Sequence, residues 1–542
     1  MNPLAAHSEP LALLTAVQRA GQRIAPTWPL DRMIAVNPWW EWCDQPITDV
    51  AARLDALGRV HGLMPEAYYA ERWQQGLIRA EHLQQAAAEL GETGTTEVWL
   101  RALHAPSETA HWHNLSDLLD AARDRQHQMA WRDEITHQIS QFCAAFCQQP
   151  GHQAAQHLYA HWLRQTRVDH GIAILMGEPG LTKTFATLPA DSDALITTAL
   201  TTLGMDDPAL AEAYAQALLL DSNGWASWLA HERWQARLAG QAEDALPQLV
   251  AIRLGWELAL WRHWHHRHPQ TAARLAAQWQ RQRQHWPTLL ERHREAQRPR
   301  WVWMRAAELA RQEKEQQRLR QPRTATPATP TLQAVFCIDV RSEVMRRALE
   351  AQSSDIQTLG FAGFFGLPLA YAPVGTALAR PQLPGLLAPR IQVSEGGHAR
   401  VALGHQRRRR LEPRLLWDEV SRGAASAFSL VEATGLRYAA TLLRQTFAPR
   451  AAAHPVNDLP GAESWILSQD GRPLLEDEKA DLLAGILRAM NLTVLAQEVL
   501  LVGHGSHTTN NPHAAGLDCG ACGGQTGEIN VRVLAQMLND EH

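Results

Sequence analysis

The stretch "TLQAVFCIDVRSEVMRRALEAQSSDIQTLGFAGFFG", Thr331 to Gly366, constrains the fold more than any other. It opens with an apolar, β-branched run of strand length. "SEVMRRALEAQ" follows with apolar residues at helical spacing, and a second apolar run closes the stretch. Ser342 is placed to cap the helix, with Glu343 in its first turn, where acids are favoured. Strand, helix and strand in that order demand a crossover between parallel strands. Further on, "EVLLVGHGSHTTNN" reads as another strand running into a loop. The expectation is an α/β domain with a mostly parallel sheet. Such sheets place their sites at the carboxyl ends of strands, and "FCIDVR" and "LVGHGS" are two such ends.

Side chains alternate between the faces of a strand. If the extended geometry continues, Cys337, Asp339 and Arg341 share one face, while Phe336, Ile338 and Val340 enter the core. Thiolate and carboxylate are both zinc ligands, but two from one strand do not make a site. Partners are offered by "VGHGSHTTNNPHAAGLDCGACGGQTG", Val502 to Gly527, with His504, His507, His513, Asp518, Cys519 and Cys522. Its glycines let the backbone turn tightly around an ion. Cys337, Asp339, His504 and one of the two later cysteines would complete a tetrahedral set. Cys519 and Cys522 also have the spacing of a redox pair or of half a structural zinc site.

The 542 residues divide at "TATPATPT", Thr324 to Thr331, which has linker composition. Residues 1–323 read as a mainly helical region with a short extended segment near 30–40, at "PLDRMIAVNPWWEW". Residues 332–542 form the zinc-binding α/β domain. From Arg274 to Arg323, mixed Arg, Gln and Glu suit solvated helices. A net charge of −5 argues against a nucleic-acid partner. Six cysteines do not make a disulfide scaffold, and the first residues lack the basic start and apolar run of a signal peptide. The reading is a reducing, cytoplasmic setting.

Ile356 to Ala379 carries no charge over 24 residues, enough to span a bilayer, but holds four Gly and two Pro. It reads as buried strand and loop, with a surface docked on a membrane partner as the alternative. The 21 Trp read as core residues first and interface residues second. The runs "RHWHHRHPQ" and "HQRRRRLEPR" read as a solvated helix end and as an exposed loop, salt-bridged face or lipid contact.

"CIDVR" resembles the Cys-x-Asp-x-Arg motif of β-class carbonic anhydrases, although His504 and Cys519 lie further apart than in that class. With "VFCIDVRSEVMRRALE", "GFAGFFG", "GHGSHTTNNPHAAGLDCGACGGQTGEIN" and "IAVNPWW", the chain more closely resembles the DabA family. That family is the zinc-binding subunit of the DabA–DabB inorganic carbon system. The resemblance implies a β-carbonic-anhydrase-like domain and a Zn2+ held by Cys337, Asp339, His504 and Cys519, with Cys522 in reserve. Asp339 and Arg341 become the catalytic gate: paired with Arg341, Asp339 leaves the metal open, and CO2 is hydrated to bicarbonate. The implied partner is the multipass, cation-translocating subunit DabB, with the chain peripheral on the cytoplasmic face of the inner membrane. A scaffold subunit or structural zinc protein using Cys337, His504, Cys519 and Cys522 is the alternative. Family members continue well past the Gly-rich motif, so a domain lacking that family region is expected here, ending at His542.

Overall fold

The computed structural model describes residues 8–29, 36–37, 39–104, 109–123, 129–149, 154–320, 330–422, 427–447, 464–505, 519–522 and 525–540. The chain is α/β, mainly helical, with small sheets. It divides into two compact units, Met1–Thr27 with Val36–Thr324, and Trp28–Ala35 with Ala325–His542.

Every regular element described in the first unit is a helix. The Leu246–Arg267 helix is buried on all faces from Leu249 to Leu260. It is therefore apolar around its circumference, as a central helix should be. The exceptions, Arg253 and Glu257, are buried but paired. Arg253 Nη2 lies 2.9 Å from Asp221, and Glu257 accepts from Leu115 N, Ser116 Oγ and Tyr214 OH. Those donors offset the cost of burying a carboxylate.

Four buried tryptophans are held in the same way. Trp162 and Trp256 both donate to Gln138 Oε1, Trp279 to Leu203 O, and Trp303 to Trp99 O. Each supplies core volume plus one satisfied donor, which Phe cannot do. Trp279, Trp286, Trp301 and Trp303 are buried, so the Arg-rich helices Pro269–Gln284 and Trp286–Leu319 are solvated on one side only. Trp40 packs edge-on against Trp234, and Arg23 lies over buried Trp42. The expected extended segment falls largely on residues 30–35 and 38, outside the described residues.

The second unit holds a parallel sheet, β2-β1-β8, formed by β1 (Leu332–Cys337), β2 (Ile356–Phe361) and β8 (Glu498–Val502). The Ser342–Glu350 helix crosses from β1 to β2. A second sheet, β4-β3-β5-β6-β7, joins β3 (Leu369–Tyr371), β4 (Arg380–Pro381), β5 (Ile391–Glu395), β6 (Trp465–Gln469) and β7 (Arg472–Pro473). Of its pairings, only β3 with β5 is parallel. The expected mostly parallel sheet is thus a small parallel sheet beside a mixed one. Short strands linked by tight turns can pair antiparallel without a crossover. The uncharged Ile356–Ala379 segment forms β2, β3 and the turns around them. Among the described residues, no helix is long and apolar enough to cross a membrane.

The basic run at His405 lies on the Arg400–Arg422 helix, not in a loop. Arg407 points inward, 2.6 Å from the buried Glu395 at the end of β5. Glu395 also accepts from Tyr371 OH and Val374 N. Burial pushes the Glu395 carboxyl up, but the hydrogen bonds from Arg407 and Tyr371 win and hold it below its ordinary value. Its stabilising effect is therefore complete above that value, 4.5, and fades as pH falls through the lowered one. Glu395→Gln strands the Arg407 charge and is expected to cost about 3–5 kcal/mol at pH 7. Urea titrations should show that gap narrowing below pH 4.5; a gap constant with pH would refute the assignment.

Candidate metal centre

The parallel sheet carries the site at the ends of its strands. β1 ends at Cys337, and β8 pairs with it up to Phe336↔Val502. His504 follows two residues later. Cys519 precedes and Cys522 ends a single 3-10 turn, Gly520–Cys522, closed by a bond from Cys522 N to Cys519 O. The Cys337 Sγ is 3.4 Å from Cys519 Sγ and 4.0 Å from Cys522 Sγ. His504 Nε2 stands 3.1 Å from Cys522 Sγ. One ligand atom from each of these four residues lies within 4.8 Å of the others.

These distances test the donor set directly. Sulphurs at ~2.3 Å from a tetrahedral zinc are ~3.8 Å apart. A disulfide would need ~2.05 Å, and all six cysteines are free. The residues present therefore fit a thiophilic metal. His504 is oriented for it. Its Nδ1 faces the Gly505 carbonyl at 2.8 Å, and a carbonyl can only accept. Nδ1 thus carries the proton and leaves Nε2 to ligate, a common supporting bond in metal sites. Gly527 N and Thr526 Oγ1 both donate to the His504 carbonyl and fix its backbone.

Electrostatics separate the two late cysteines. Hydrogen bonds from Cys337 and Cys522 pull the Cys519 thiol far below its ordinary value. Contacts with Cys337 and Cys519, together with burial, push the Cys522 thiol up. Burial opposes charge on His504, but hydrogen bonds to the Cys337 and Cys519 sulphurs raise it to about 10.

Asp339 and Arg341 stand differently from the expectation. β1 stops at Cys337, so they do not continue the strand. Ser342 N and Oγ both donate to the Asp339 carbonyl and turn the chain into the helix. Ser342 is consequently the first helical residue and not its cap. Ile338 and Val340, expected in the core, are 54% and 70% exposed. Asp339 is buried, and its carboxylate takes a two-pronged bond from Arg341: Nε to Oδ1 at 2.6 Å and Nη2 to Oδ2 at 2.7 Å. The Arg341 backbone N–H adds a third at 3.0 Å. The Arg341 hydrogen bond holds the Asp339 carboxyl below its usual range. Asp339 Oδ2 lies 4.0 Å from His504 Nδ1, beside the cluster and outside it.

The structure thus brings Cys337, His504, Cys519 and Cys522 together and keeps Asp339 with Arg341. His507, His513 and Asp518 lie outside the described residues.

The family model for "Probable inorganic carbon transporter subunit DabA" matches residues 17–542. The chain belongs to the DabA family. A Hydrogenovibrio crunogenus protein of the same description is 50% identical over 97% of this chain and 65% of its own length. The Marinomonas sp. relative is 44% identical over 96% of this chain and 65% of its own. A Vibrio cholerae relative is 42% identical over 98% and 62%. The chain thus spans about 65% of the length of the first of these relatives. No solved structure matches it.

Within this DabA-family site, one residue had no chemistry to announce it. Gly363 lies under the sulphurs. A Cβ there would fall on the Sγ atoms of both Cys337 and Cys522, and 3.1 Å from Cys337 Cβ. Gly503 and Gly527 make a similar close approach: a Cβ on Gly503 would meet the Gly527 carbonyl oxygen at 2.8 Å. "GFAGFFG" was the available signal, since repeated glycine in an apolar segment marks close backbone approach.

Proposed function

We propose that the chain is the zinc-binding subunit of an inorganic carbon uptake system, hydrating CO2 to bicarbonate at a gated site. The observation that carries this is the forked Asp339–Arg341 pair beside the thiolate and imidazole donors. Cys337, His504 and Cys519 would hold zinc, with Asp339 as the exchangeable fourth ligand. Cys519 stands at the family's ligand spacing, 15 positions after His504, and its sulphur lies 3.4 Å from Cys337 Sγ, against 4.0 Å for Cys522. Zinc, when bound, supplies Lewis acidity that lets water give up a proton near neutral pH. The chain supplies the gate. Arg341 holds the carboxylate off the sulphurs with a rigid fork and a permanent charge. Breaking that pair frees Asp339 to turn back and close the site. The β-carbonic-anhydrase likeness belongs to this reading.

The proposed partner is the multipass subunit DabB, with the chain peripheral on the cytoplasmic face of the inner membrane. Two surfaces support a partner. Ile338 and Val340, and Val344 and Met345 on the helix that follows, are exposed around the 57%-exposed Arg341; that helix buries none of its residues. Leu436 and Phe447 are exposed on the Ala427–Phe447 helix. A subunit seated on the first surface would press on the gate and couple it to ion flow.

Arg341→Ala is expected to abolish carbon-dependent growth in a host lacking its own uptake system, while the purified complex keeps its zinc. Wild-type growth of that variant would end the gating proposal. A second reading has its own observation: four donors, three of them sulphur, fit a closed structural zinc site.

A further inference from the structure

We propose that Asp55, His111 and His293 form a second metal site, free of sulphur, for a divalent ion of the zinc class. All three belong to the helical unit. Asp55 sits in the last turn of the Ile47–Gly58 helix, His293 on the Trp286–Leu319 helix, and His111 in the segment before the Leu115–Arg123 helix. Ligand atoms from the three lie within 4.8 Å of one another.

The Asp55 side chain is 7% exposed. Its Oδ2 is met by Gln297 Nε2 at 3.0 Å and His293 Nδ1 at 3.1 Å. Its Oδ1 is fully buried and, among the described residues, receives no hydrogen bond. What faces that oxygen is imidazole: His111 Nε2 at 3.4 Å and His61 Nδ1 at 3.5 Å. An orphaned carboxylate oxygen in the interior is costly. Around it stand ring nitrogens at ligand–ligand spacing. Donors ~2.0–2.1 Å from a tetrahedral zinc are ~3.3 Å apart; His111 and His61 stand 3.4 and 3.5 Å from Oδ1, and His293 stands 3.1 Å from the other oxygen, Oδ2.

The supporting bonds agree. His293 Nε2 points to the Ala110 carbonyl at 2.8 Å, so Nε2 carries a proton and Nδ1 faces the carboxylate. Gln297 steadies the carboxylate from the far side. These are the outer contacts that orient metal ligands. His111 is one-fifth exposed and His61 two-thirds exposed, which opens a path from solvent and offers His61 as the fourth ligand. Imidazole and carboxylate without thiolate suit zinc and its neighbours over calcium or magnesium.

A second cluster, Glu178 with His263 and His268, does not make the same case. Both of its carboxylate oxygens already meet histidine nitrogens, at 2.7 and 3.1 Å. It reads as an ion-pair lock.

The test is metal counting on the full chain, loaded with Zn2+ and then desalted. About two ions per chain are expected, one at each site. His111→Ala and Asp55→Asn should each lower the count to about one, while Cys337→Ala keeps the nitrogen-and-oxygen ion. Loading with Co2+ separates the sites. The His111→Ala chain should retain the sulphur-to-cobalt charge-transfer band, and the Cys337→Ala chain should show only weak ligand-field bands. His111 is part-exposed, so its replacement remains informative if Asp55→Asn fails to fold. A wild-type chain with one ion, lost in Cys337→Ala, would overturn the proposal. So would an unchanged count in His111→Ala.

Discussion

Cys337→Ala is expected to remove the metal proposed for the second unit and, with it, the proposed inorganic carbon uptake. Cys337 is the centre of the cluster, meeting both later sulphurs from the end of the middle strand. Structural zinc binds with about 10–16 kcal/mol of apparent free energy in small domains, so losing a central thiolate empties the site at cellular metal levels. Elemental analysis of the purified protein reads this directly. The companion pair decides between the two ligand sets. If Asp339 is the fourth ligand, Cys519→Ser loses zinc while Cys522→Ser keeps it. If the site is a closed three-sulphur one, both lose it and Asp339→Ala has no effect on zinc content or uptake.

Gly363→Ala is expected to damage the same site without touching a donor. The added methyl would occupy the space of two sulphurs, and neither can retreat far. Cys337 is fixed in the sheet, and Cys522 is buried in a tight turn. Overpacking of this kind costs about 1–3 kcal/mol, or roughly a 5- to 150-fold fall in affinity if the site absorbs it. Competition with a chromophoric chelator would measure it. Wild-type affinity would mean that the sulphurs are freer than their packing implies.

The βαβ core was legible because apolar runs and helical spacing are local signals. β1, its crossover helix, β2 and β8 all lie where the patterns put them. Joining "FCIDVR" to the Gly-rich cluster was also legible, because thiolates and imidazoles at strand ends have few other uses. The turn at Asp339 was not. Period-two alternation cannot say where a strand stops, and the stop is set by side-chain bonds to the Asp339 carbonyl and carboxylate. The mixed sheet was hidden for a different reason: β4 and β7 are two residues long and carry no periodicity. Gly363 was not legible either, since its role is an empty volume beneath the sulphurs. Asp55 and His293 stand 238 positions apart, and nothing in either neighbourhood points to the other.

The distance along the chain between Cys337 and Cys519 has a consequence for assembly. They are separated by 182 residues, nearly the whole second unit. By chain statistics alone, closing a loop of that length costs roughly 5 kcal/mol. A metal clasping both ends removes that freedom from the unfolded ensemble, as a cross-link does. During synthesis, however, Cys337 emerges long before its partners. The nascent unit must hold an unmatched thiol at the edge of an unfinished sheet until β8 and the Gly-rich turn arrive. If the proposed metal binds here, its capture must wait for Cys519 and Cys522, and metal starvation should leave the unit open at that seam.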